Sequence, residues 1–334
     1  MLSRVVVTTD PENSEFPFAE LGSWITPVPA FYVRNHFPVP DIDPAAWSVA
    51  VGDRRLGLSE LEALPQRSVV ATLECAGNGR AYLNPSVKGV QWRLGAVSNG
   101  EWMGPPLAAV LEAAGAPDAA HVHLAGGDRG SFEGREVSFA RSVPREKALD
   151  SDTIVALRMN GDPLTPEHGA PARAVVPGWY GMASVKWLVA IDPRDVPSDN
   201  PFMVDDYTRA TPDGGREPLD WMEPTALIAR PAEGAVVSAG EVLVEGAAWT
   251  GAAPLARVEL SADGGATWSP AVLEGPEARW AWRLWSWPWR AAPGKHALLA
   301  RAMDAAGRTQ PSAPDPRSPG YVNHWVRPHP VEVT

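Results

Sequence analysis

The only cysteine of the chain stands where a reactive thiol could form. Cys75 follows an apolar run and precedes a Gly-Asn-Gly turn in the segment VVATLECAGNGR. The backbone amides of such a turn and the nearby Arg80 would favour a thiolate. A thiolate can act as a nucleophile or as a ligand to a soft metal. Cysteine is also among the most buried residue types, and no local sequence names a base for a Cys–His pair. A nucleophile, a metal ligand and a structural core residue therefore all remain open.

A single cysteine also limits the metal chemistry of the chain. One thiol cannot form an internal disulfide, a four-cysteine zinc site or an iron–sulfur cluster, and it cannot supply the CxxCH motif of a c-type haem. Cys75 is therefore the only candidate for a thiolate ligand.

The elements that must position Cys75 belong to a mixed first half of the chain. Short β-type runs at Ser68–Leu73 and Ala174–Val176 alternate with brief helical patterns. The clearest helix is Pro105–Ala114, with prolines at its start and Gly115 directly after it. With 35 Pro, 30 Gly and 15 Trp, the composition favours many short strands and loops over a helix bundle. The fold class is predicted to be α+β with a large β share.

The second half has the pattern of a β-sandwich. Apolar runs from Pro224 onward are separated by Gly, Asp and Pro turns, and Asp263–Gly265 is a hairpin signal. The turn-rich stretch Asp213–Pro218 predicts a linker, which divides the chain into domains of residues 1–217 and 218–334. Five tryptophans between residues 280 and 289 are interpreted as the aromatic core of the sandwich.

Charge and hydropathy exclude several partner classes. The 334 residues carry 29 Lys and Arg against 40 Asp and Glu, a net charge of −11, which argues against general binding to nucleic acid or to a membrane surface. No apolar run is long enough to span a bilayer. The segment Met1–Asp10 lacks a signal-peptide pattern, so we expect a cytoplasmic protein, or a periplasmic one if an export signal was trimmed.

Five segments, in the same order, resemble the sulfite oxidase family of molybdenum enzymes. The segment around the cysteine, ATLECAGNGR, is similar to the family's cysteine segment. The other four are FYVRNHFPVP, GVQWRLGAVSNGEWMGPPLAAVLEAAG, MNGDPLTPEHGAPARAVVPGWYGMASVKWL and DDYTRATP. The resemblance covers nearly the whole chain. It implies a molybdopterin-binding domain followed by an immunoglobulin-like dimerisation domain.

The resemblance implies a cofactor and the residues that bind it. In the family, a cysteine thiolate ligates molybdenum beside the dithiolene of one molybdopterin, and Cys75 matches this position. The pterin carries a phosphate and many ring donors and acceptors, so its site must offer charge and hydrogen bonds. The matching positions are Phe31, Tyr32, Val33, Arg34, Asn35, His36, Asp128, His168, Arg173, Ser184, Val185 and Lys186.

The resemblance also assigns residues to the substrate. Arg34, Arg80 and Arg283 match arginines that bind the oxyanion, and the planar guanidinium suits such a role better than an ammonium does. Tyr207 matches a tyrosine that donates a hydrogen bond near the reacting oxygen. Gly79 stands where many relatives have a second arginine beside Arg80, which leaves substrate preference open.

The resemblance implies a bacterial, haem-free molybdenum oxidoreductase. It would oxidise sulfite to sulfate by oxygen-atom transfer and pass electrons to a separate acceptor, such as a cytochrome. The β-sandwich implies a homodimer. One alternative keeps the cofactor but acts on nitrate or a sulfoxide. Another is a non-catalytic β-sandwich binding protein with a buried cysteine, and a more distant one is a cysteine hydrolase.

Overall fold

A computed structural model describes residues 2–334. Met1 lies outside the described residues; it belongs to the predicted domain 1–217 and to the segment Met1–Asp10. Residues 2–218 form a first unit, rich in short strands. These are β1 (Val5–Thr9), β2 (Glu12–Glu15), β3 (Ser48–Val51), β4 (Arg54–Gly57), β5 (Arg67–Glu74), β6 (Val97–Gly104), β7 (His121–Phe132), β8 (Arg135–Pro144), β9 (Ile154–Ala156), β10 (Arg158–Met159), β11 (Asp162–Pro163), β12 (Arg173–Val175), β13 (Leu188–Arg194), β14 (Thr208–Ala210) and β15 (Arg216–Pro218).

The helices of the first unit are short. They are α1 (Leu58–Ala63), α2 (Leu107–Ala113), α3 (Arg145–Ala148) and α4 (Pro201–Val204), with 3-10 turns at Phe18–Glu20, Val28–Ala30, Arg80–Tyr82, Pro166–His168 and Gly181–Ala183. The predicted helix is confirmed as α2, which starts after Pro106 and ends before Gly115, whose φ is 63°. Within residues 2–334, no helix is long and apolar enough to cross a bilayer.

Two sheets frame the first unit. One has the order β4-β3-β13-β7-β8, with β3 and β13 parallel and the other pairs antiparallel. The other has the order β11-β10-β6-β5. Strand β5 pairs with β6 along its whole length, from Arg67 opposite Gly104 to Glu74 opposite Val97. Because the ladder ends at Glu74, Cys75 lies at the strand-to-loop junction that the sequence predicts.

Residues 219–334 form a second unit, a two-sheet β-sandwich. Its strands are β16 (Thr225–Arg230), β17 (Val236–Val237), β18 (Gly240–Trp249), β19 (Leu255–Ser261), β20 (Ser269–Pro270), β21 (Val272–Glu274), β22 (Arg283–Ala291), β23 (Gly294–Asp304) and β24 (His329–Val333). The sheets have the orders β16-β18-β22-β21 and β17-β24-β23-β19-β20. Buried residues of both sheets, such as Val244, Val258 and Leu298, pack in one core, as in a sandwich. The predicted α+β unit followed by a sandwich is confirmed.

The predicted linker is part of a hairpin. Arg216–Pro218 is strand β15, which pairs antiparallel with β14, so a boundary at 217/218 would cut through a strand. The Gly and Asp residues of this stretch form the hairpin turn, where the amide of Thr211 donates to the carbonyl of Gly215 at 3.0 Å. Turn-forming residues are compatible with a linker or a hairpin, and strand pairing decided between them.

The tryptophan cluster is split between the two units, which corrects its assignment to the sandwich core. Trp285 and Trp289 are buried in the sandwich core, but Trp280 and Trp282 precede β22. Trp280 packs in a core of the first unit, and Trp282 packs in a core that both units share. The amide of Trp282 donates to the Thr72 hydroxyl at 2.7 Å, and its indole N–H donates to the Trp24 carbonyl at 2.9 Å. Trp280 and Trp282 thus lie before the start of β22, whereas Trp285, Trp287 and Trp289 lie within the strand.

Loss of the Trp282 side chain should weaken the first unit and its junction with the second. The indole is fully buried beside Phe18 and Trp249. We expect Trp282→Ala to cost about 3–5 kcal/mol of unfolding free energy, as for other buried aromatic truncations. Urea unfolding followed by far-UV circular dichroism measures the loss. The control is Trp287→Ala in the partly exposed part of β22, which should cost less; equal losses would contradict the assignment.

Candidate functional site

A deep cavity lies in the first unit, beside the cysteine loop. With the open solvent at its mouth included, its empty space amounts to about 670 Å³. It brings together residues that are far apart in the sequence, from Phe31, between β2 and β3, to Tyr207, in the loop after α4. The predicted site residues that line it are Phe31, Tyr32, Val33, Arg34, His36, Cys75, Asp128, His168, Arg173, Ser184, Val185, Lys186 and Tyr207.

Cys75 is held in the cavity wall by its backbone. Its amide donates to the Ala96 carbonyl at 2.9 Å, and its carbonyl accepts from the Asn78 amide at 2.8 Å. The preceding Glu74 accepts hydrogen bonds from the Trp249 indole of the second unit at 2.9 Å and from the Asn78 side chain at 3.2 Å. Burial raises the pKa of Glu74 to about 7, against the lowering effect of these two hydrogen bonds. The backbone of Cys75 and the side chain of Glu74 are thus both held by hydrogen bonds, which fix where the thiol enters the cavity wall.

Three cations line the cavity without a carboxylate ion pair. Among the described residues, no carboxylate oxygen lies within 4.0 Å of a side-chain nitrogen of Arg34, Arg173 or Lys186. These nitrogens donate mainly to neutral acceptors, that is, to backbone carbonyls and side-chain amides. Arg173 donates to the carbonyls of His168 at 3.1 Å and Ser184 at 2.8 Å. Its guanidinium lies 4.9 Å from the centre of the Trp102 ring.

Lys186 is fixed in a similar way. Its ammonium donates to the Glu167 carbonyl at 2.9 Å and to the side chain of Asn35, and it lies 4.0 Å from the centre of the Trp187 ring. Asn35 does not line the cavity; it lies behind Lys186 and also donates to the Glu12 carbonyl. The sequence assigned Asn35 to the cofactor, whereas the structure gives it a supporting contact.

The electrostatics of the cavity show an excess of positive charge. Burial, followed by the charge of Arg173, holds the pKa of Lys186 well below its usual range. Burial lowers the pKa of Arg173 to about 10. The pKa of His168 is also depressed, by burial and then by Arg173, so its imidazole is neutral near pH 7. Asp128 offsets part of this charge, although burial raises its own pKa to about 6. A buried cluster of this kind is stabilised by a ligand with several negative charges.

Tyr207 connects the cavity to His36. Its hydroxyl lies 2.8 Å from Nε2 of His36, and the charge of Arg34 acts on it. Burial raises the pKa of Tyr207, so the phenol keeps its proton at neutral pH. Burial and the charges of Arg34, Lys186 and Arg80 lower the pKa of His36, which is therefore neutral. Because the phenol stays protonated and His36 is neutral, the Tyr207 hydroxyl can donate its proton to the histidine or to a ligand.

Backbone strain is concentrated at this site. Trp187 and Tyr207, both in the cavity wall, have φ angles of 51° and 55°, and Val322, beside the cysteine loop, has 55°. Such values are costly for side chains with a Cβ, most of all for a β-branched one. They persist where the surrounding structure determines the backbone, as at ligand sites.

Arg80 lies beside the cavity and not in its wall. Its guanidinium fills a cradle made by three glycines, where an added Cβ would lie 2.6 Å from Arg80 at Gly77 and Gly89 and 3.1 Å at Gly320. Its Nε donates to the Gly320 carbonyl at 2.9 Å and its Nη1 to the Val90 carbonyl at 3.0 Å. Its charge still reaches the site, since it helps to depress the pKa of His36.

Arg283 does not reach the cavity, which corrects the sequence prediction. It is the first residue of β22, opposite Ala248, and forms an ion pair with Glu277 at 2.9 Å. Its neighbour Trp282 is anchored in the first unit, so the aromatic motif around Arg283 serves the packing of the two units. The residue of the second unit that lies beside the site is instead Tyr321, whose ring centre is 5.1 Å from that of Tyr207.

Sequence reasoning did not find several residues of the site. Leu73, Phe139, Glu167, Met182 and Trp187 line the cavity, and Tyr321 lies beside it. Glu167 and Trp187 are direct neighbours of predicted residues, which was a usable signal. Tyr321 follows a Pro-Gly turn about 100 residues from the nearest motif, and nothing in its local sequence separates it from a surface tyrosine.

Comparisons with known proteins agree with this arrangement. The family model described as oxidoreductase molybdopterin binding domain matches residues 36–202, and the one described as Mo-co oxidoreductase dimerisation domain matches residues 217–328. Mitochondrial sulfite oxidase of Rattus norvegicus is 36% identical over 96% of this chain, which spans 64% of the rat protein. Sulfite oxidase of Arabidopsis thaliana is 32% identical over 92% of this chain and 88% of its own length.

A solved structure has the same fold throughout. The sulfane dehydrogenase SoxCD of Paracoccus pantotrophus superimposes with a TM-score of 0.85 and 26% identity, covering 98% of this chain and 87% of that chain. The match extends over both units, as do those of the curated relatives. The chain therefore belongs to the sulfite oxidase family of molybdopterin-binding oxidoreductases.

Proposed function

We propose that this protein is a molybdenum-dependent enzyme that oxidises sulfite to sulfate. The observation that carries the proposal is the cavity itself, whose wall holds one thiol together with Arg34, Arg173 and Lys186, none of which forms a carboxylate ion pair among the described residues. The names of the relatives from rat and Arabidopsis support sulfite as the substrate. The non-catalytic binding protein and the cysteine hydrolase are disfavoured by the family.

The residues present fit molybdopterin. The thiolate of Cys75 is a suitable soft ligand for molybdenum. The cations Arg173 and Lys186, with the neutral His168, offer the charge and hydrogen bonds that a pterin with a phosphate requires. When bound, the molybdenum group would supply the oxygen-atom transfer and accept two electrons from the substrate.

The chain's own residues would bind and orient the substrate. Arg34 provides a guanidinium in the cavity wall, and Arg80 adds positive potential from its glycine cradle. Tyr207 presents a protonated hydroxyl that can donate to an oxyanion, and the neutral His36 holds that hydroxyl in place. The aromatic and apolar walls exclude water, so these charges act more strongly than they would in solution.

The assembly and the electron acceptor are part of the proposal. The match of the second unit to a dimerisation domain supports a homodimer. Electrons would leave to a separate acceptor, such as a cytochrome. The cytoplasmic location expected from the first residues stays a prediction.

The first experiment measures the cofactor and the reaction on one sample. Protein expressed in a host that makes molybdopterin is analysed for molybdenum and pterin, and then for sulfite-dependent reduction of ferricyanide. We expect about one molybdenum per chain, with turnover. Molybdenum without sulfite turnover would overturn the substrate and direct the search to nitrate or sulfoxides. No molybdenum, in a host where a known relative loads fully, would overturn the enzyme.

Replacement of the thiol should abolish turnover without unfolding the protein. We expect Cys75→Ser to reduce kcat by more than the roughly 10- to 100-fold that loss of an outer-shell partner costs, because it removes the proposed metal ligand itself. Steady-state ferricyanide assays measure the loss, and far-UV circular dichroism checks the fold. Retention of more than a tenth of the wild-type kcat would argue that Cys75 is only a core residue.

Loss of one cavity cation should release the cofactor. Lys186→Met removes a positive charge from the cavity, and we expect about 10-fold or greater loss of bound pterin after dialysis, measured by fluorescence of the oxidised pterin. Lys147→Met is the matched control. Lys147 is also buried and lies 4.6 Å from the centre of the Trp280 ring, but it does not line the cavity. Equal pterin loss in both variants would show a general effect of replacing a lysine of the protein interior, and not a specific role of Lys186.

A further inference from the structure

The N-terminal hairpin is bound to the segment that carries Arg34. Strands β1 and β2 pair antiparallel, with Thr8 opposite Asn13. The next residue, Ser14, donates its amide to the Val33 carbonyl at 2.9 Å and accepts from the Val33 amide at 2.9 Å. The hairpin precedes all five motifs of the sequence resemblance and residues 36–202 of the family-model match. It is therefore a part of the site's framework to which neither assigns a role.

The side chain of Asn13 is buried, and each of its polar atoms has two partners. Its Oδ1 accepts from Nη1 of Arg34 at 3.2 Å and from the amide of Asn35 at 2.9 Å. Its Nδ2 donates to the Thr8 hydroxyl at 2.8 Å and to the Pro11 carbonyl at 3.1 Å. Because both partners of Oδ1 are N–H groups, which only donate, the amide has one orientation. Its oxygen is thus fixed towards Arg34.

The same hairpin holds a second cation of the cavity through Asn35. The side chain of Asn35 donates to the Glu12 carbonyl of β2 at 2.9 Å, and its oxygen accepts from the ammonium of Lys186. Two of the three cavity cations therefore depend on β2, Arg34 by a direct contact with Asn13 and Lys186 through Asn35.

An amide oxygen differs from a carboxylate as a partner for Arg34. Both orient a guanidinium by accepting a hydrogen bond, but a carboxylate also forms an ion pair and competes with an anionic ligand. Arg34 donates to Asn13 and to the Asn35 carbonyl from one nitrogen, Nη1. These two contacts leave the other N–H groups of the guanidinium unused. The arrangement fixes one edge of the guanidinium and keeps its charge.

We propose that Asn13 is a positioning residue that orients Arg34 for an anion in the cavity without neutralising its charge. Asn13 acts through Arg34, because Arg34 lines the cavity and Asn13 does not. The inference rests on the proposed function insofar as the anion is sulfite. The contacts of Asn13 are a property of the chain alone.

The test is a double-mutant cycle on the molybdenum-loaded protein, with rates expressed per bound molybdenum. Asn13→Ala removes the acceptor, and we expect the KM for sulfite to rise about 10-fold with kcat changed less than about 2-fold. Asn13→Asp keeps an oxygen beside Arg34 but adds a negative charge, so its KM should rise further. In an Arg34→Gln background, each substitution of Asn13 should change KM less than about 2-fold, because no guanidinium is left to orient or neutralise.

A second buried asparagine offers the matched control. Asn99 of β6 accepts from the Thr72 hydroxyl at 3.0 Å and donates to the Trp24 carbonyl at 2.9 Å. Within residues 2–334, these side-chain partners are neutral and Asn99 does not line the cavity. Asn99→Ala should destabilise the fold but leave KM unchanged. Equal KM values for Asn13→Ala and Asn99→Ala, or a KM effect of Asn13→Ala that persists beside Arg34→Gln, would overturn the proposal.

Sulfate binding separates this inference from the proposed reaction. Isothermal titration calorimetry with sulfate measures anion affinity on the same loaded proteins without turnover. We expect the Kd for sulfate to rise about 10-fold in Asn13→Ala and to be unaffected by that substitution in the Arg34→Gln background. If the wild-type protein binds sulfate but does not oxidise sulfite, the proposed function fails and the sulfate series still decides the role of Asn13. An unchanged Kd in Asn13→Ala, or a wild-type protein that binds no sulfate, would overturn the inference.

Discussion

Positive charge buried around one cavity, without paired carboxylates, is the constraint on which the rest of this structure depends. Desolvation of an unpaired guanidinium or ammonium costs several kcal/mol, so such groups persist only if other forces hold them. Here Arg173 and Lys186 lie against the faces of Trp102 and Trp187 and donate to carbonyl groups. Binding of an anion with several negative charges would stabilise this arrangement by mass action.

The two units are joined where this site needs support. Trp282, which precedes β22, packs against residues of the first unit such as Phe18. The Trp249 indole donates a hydrogen bond to Glu74, the residue before Cys75. On the other side, Gly320–Asn323 holds the loop that follows the cysteine and completes the glycine cradle of Arg80. The β-sandwich is therefore more than an appended module, because it fixes both ends of the segment that carries the thiol.

Most residues that the family resemblance assigned to the site line the cavity, but the residue that it assigned from the β-sandwich does not. The resemblance assigned Arg283 to the anion site because it matches an arginine that binds the oxyanion in the family. The structure pairs that arginine with Glu277 and brings Tyr321 to the site instead. The second unit thus contributes an aromatic ring that lies beside both Tyr207 and Arg80.

The sequence by itself determined what local spacing can encode. It predicted the end of a strand at Cys75, helix α2, the sandwich pattern and, through the family resemblance, most of the polar residues that line the cavity. Tertiary structure alone decided that Trp282 packs against the first unit, that Arg283 does not line the cavity and that Tyr321 lies beside Tyr207. The physical reason is that period and turn chemistry act over a few residues, whereas these contacts join segments more than 100 residues apart and depend on which buried surfaces fit together.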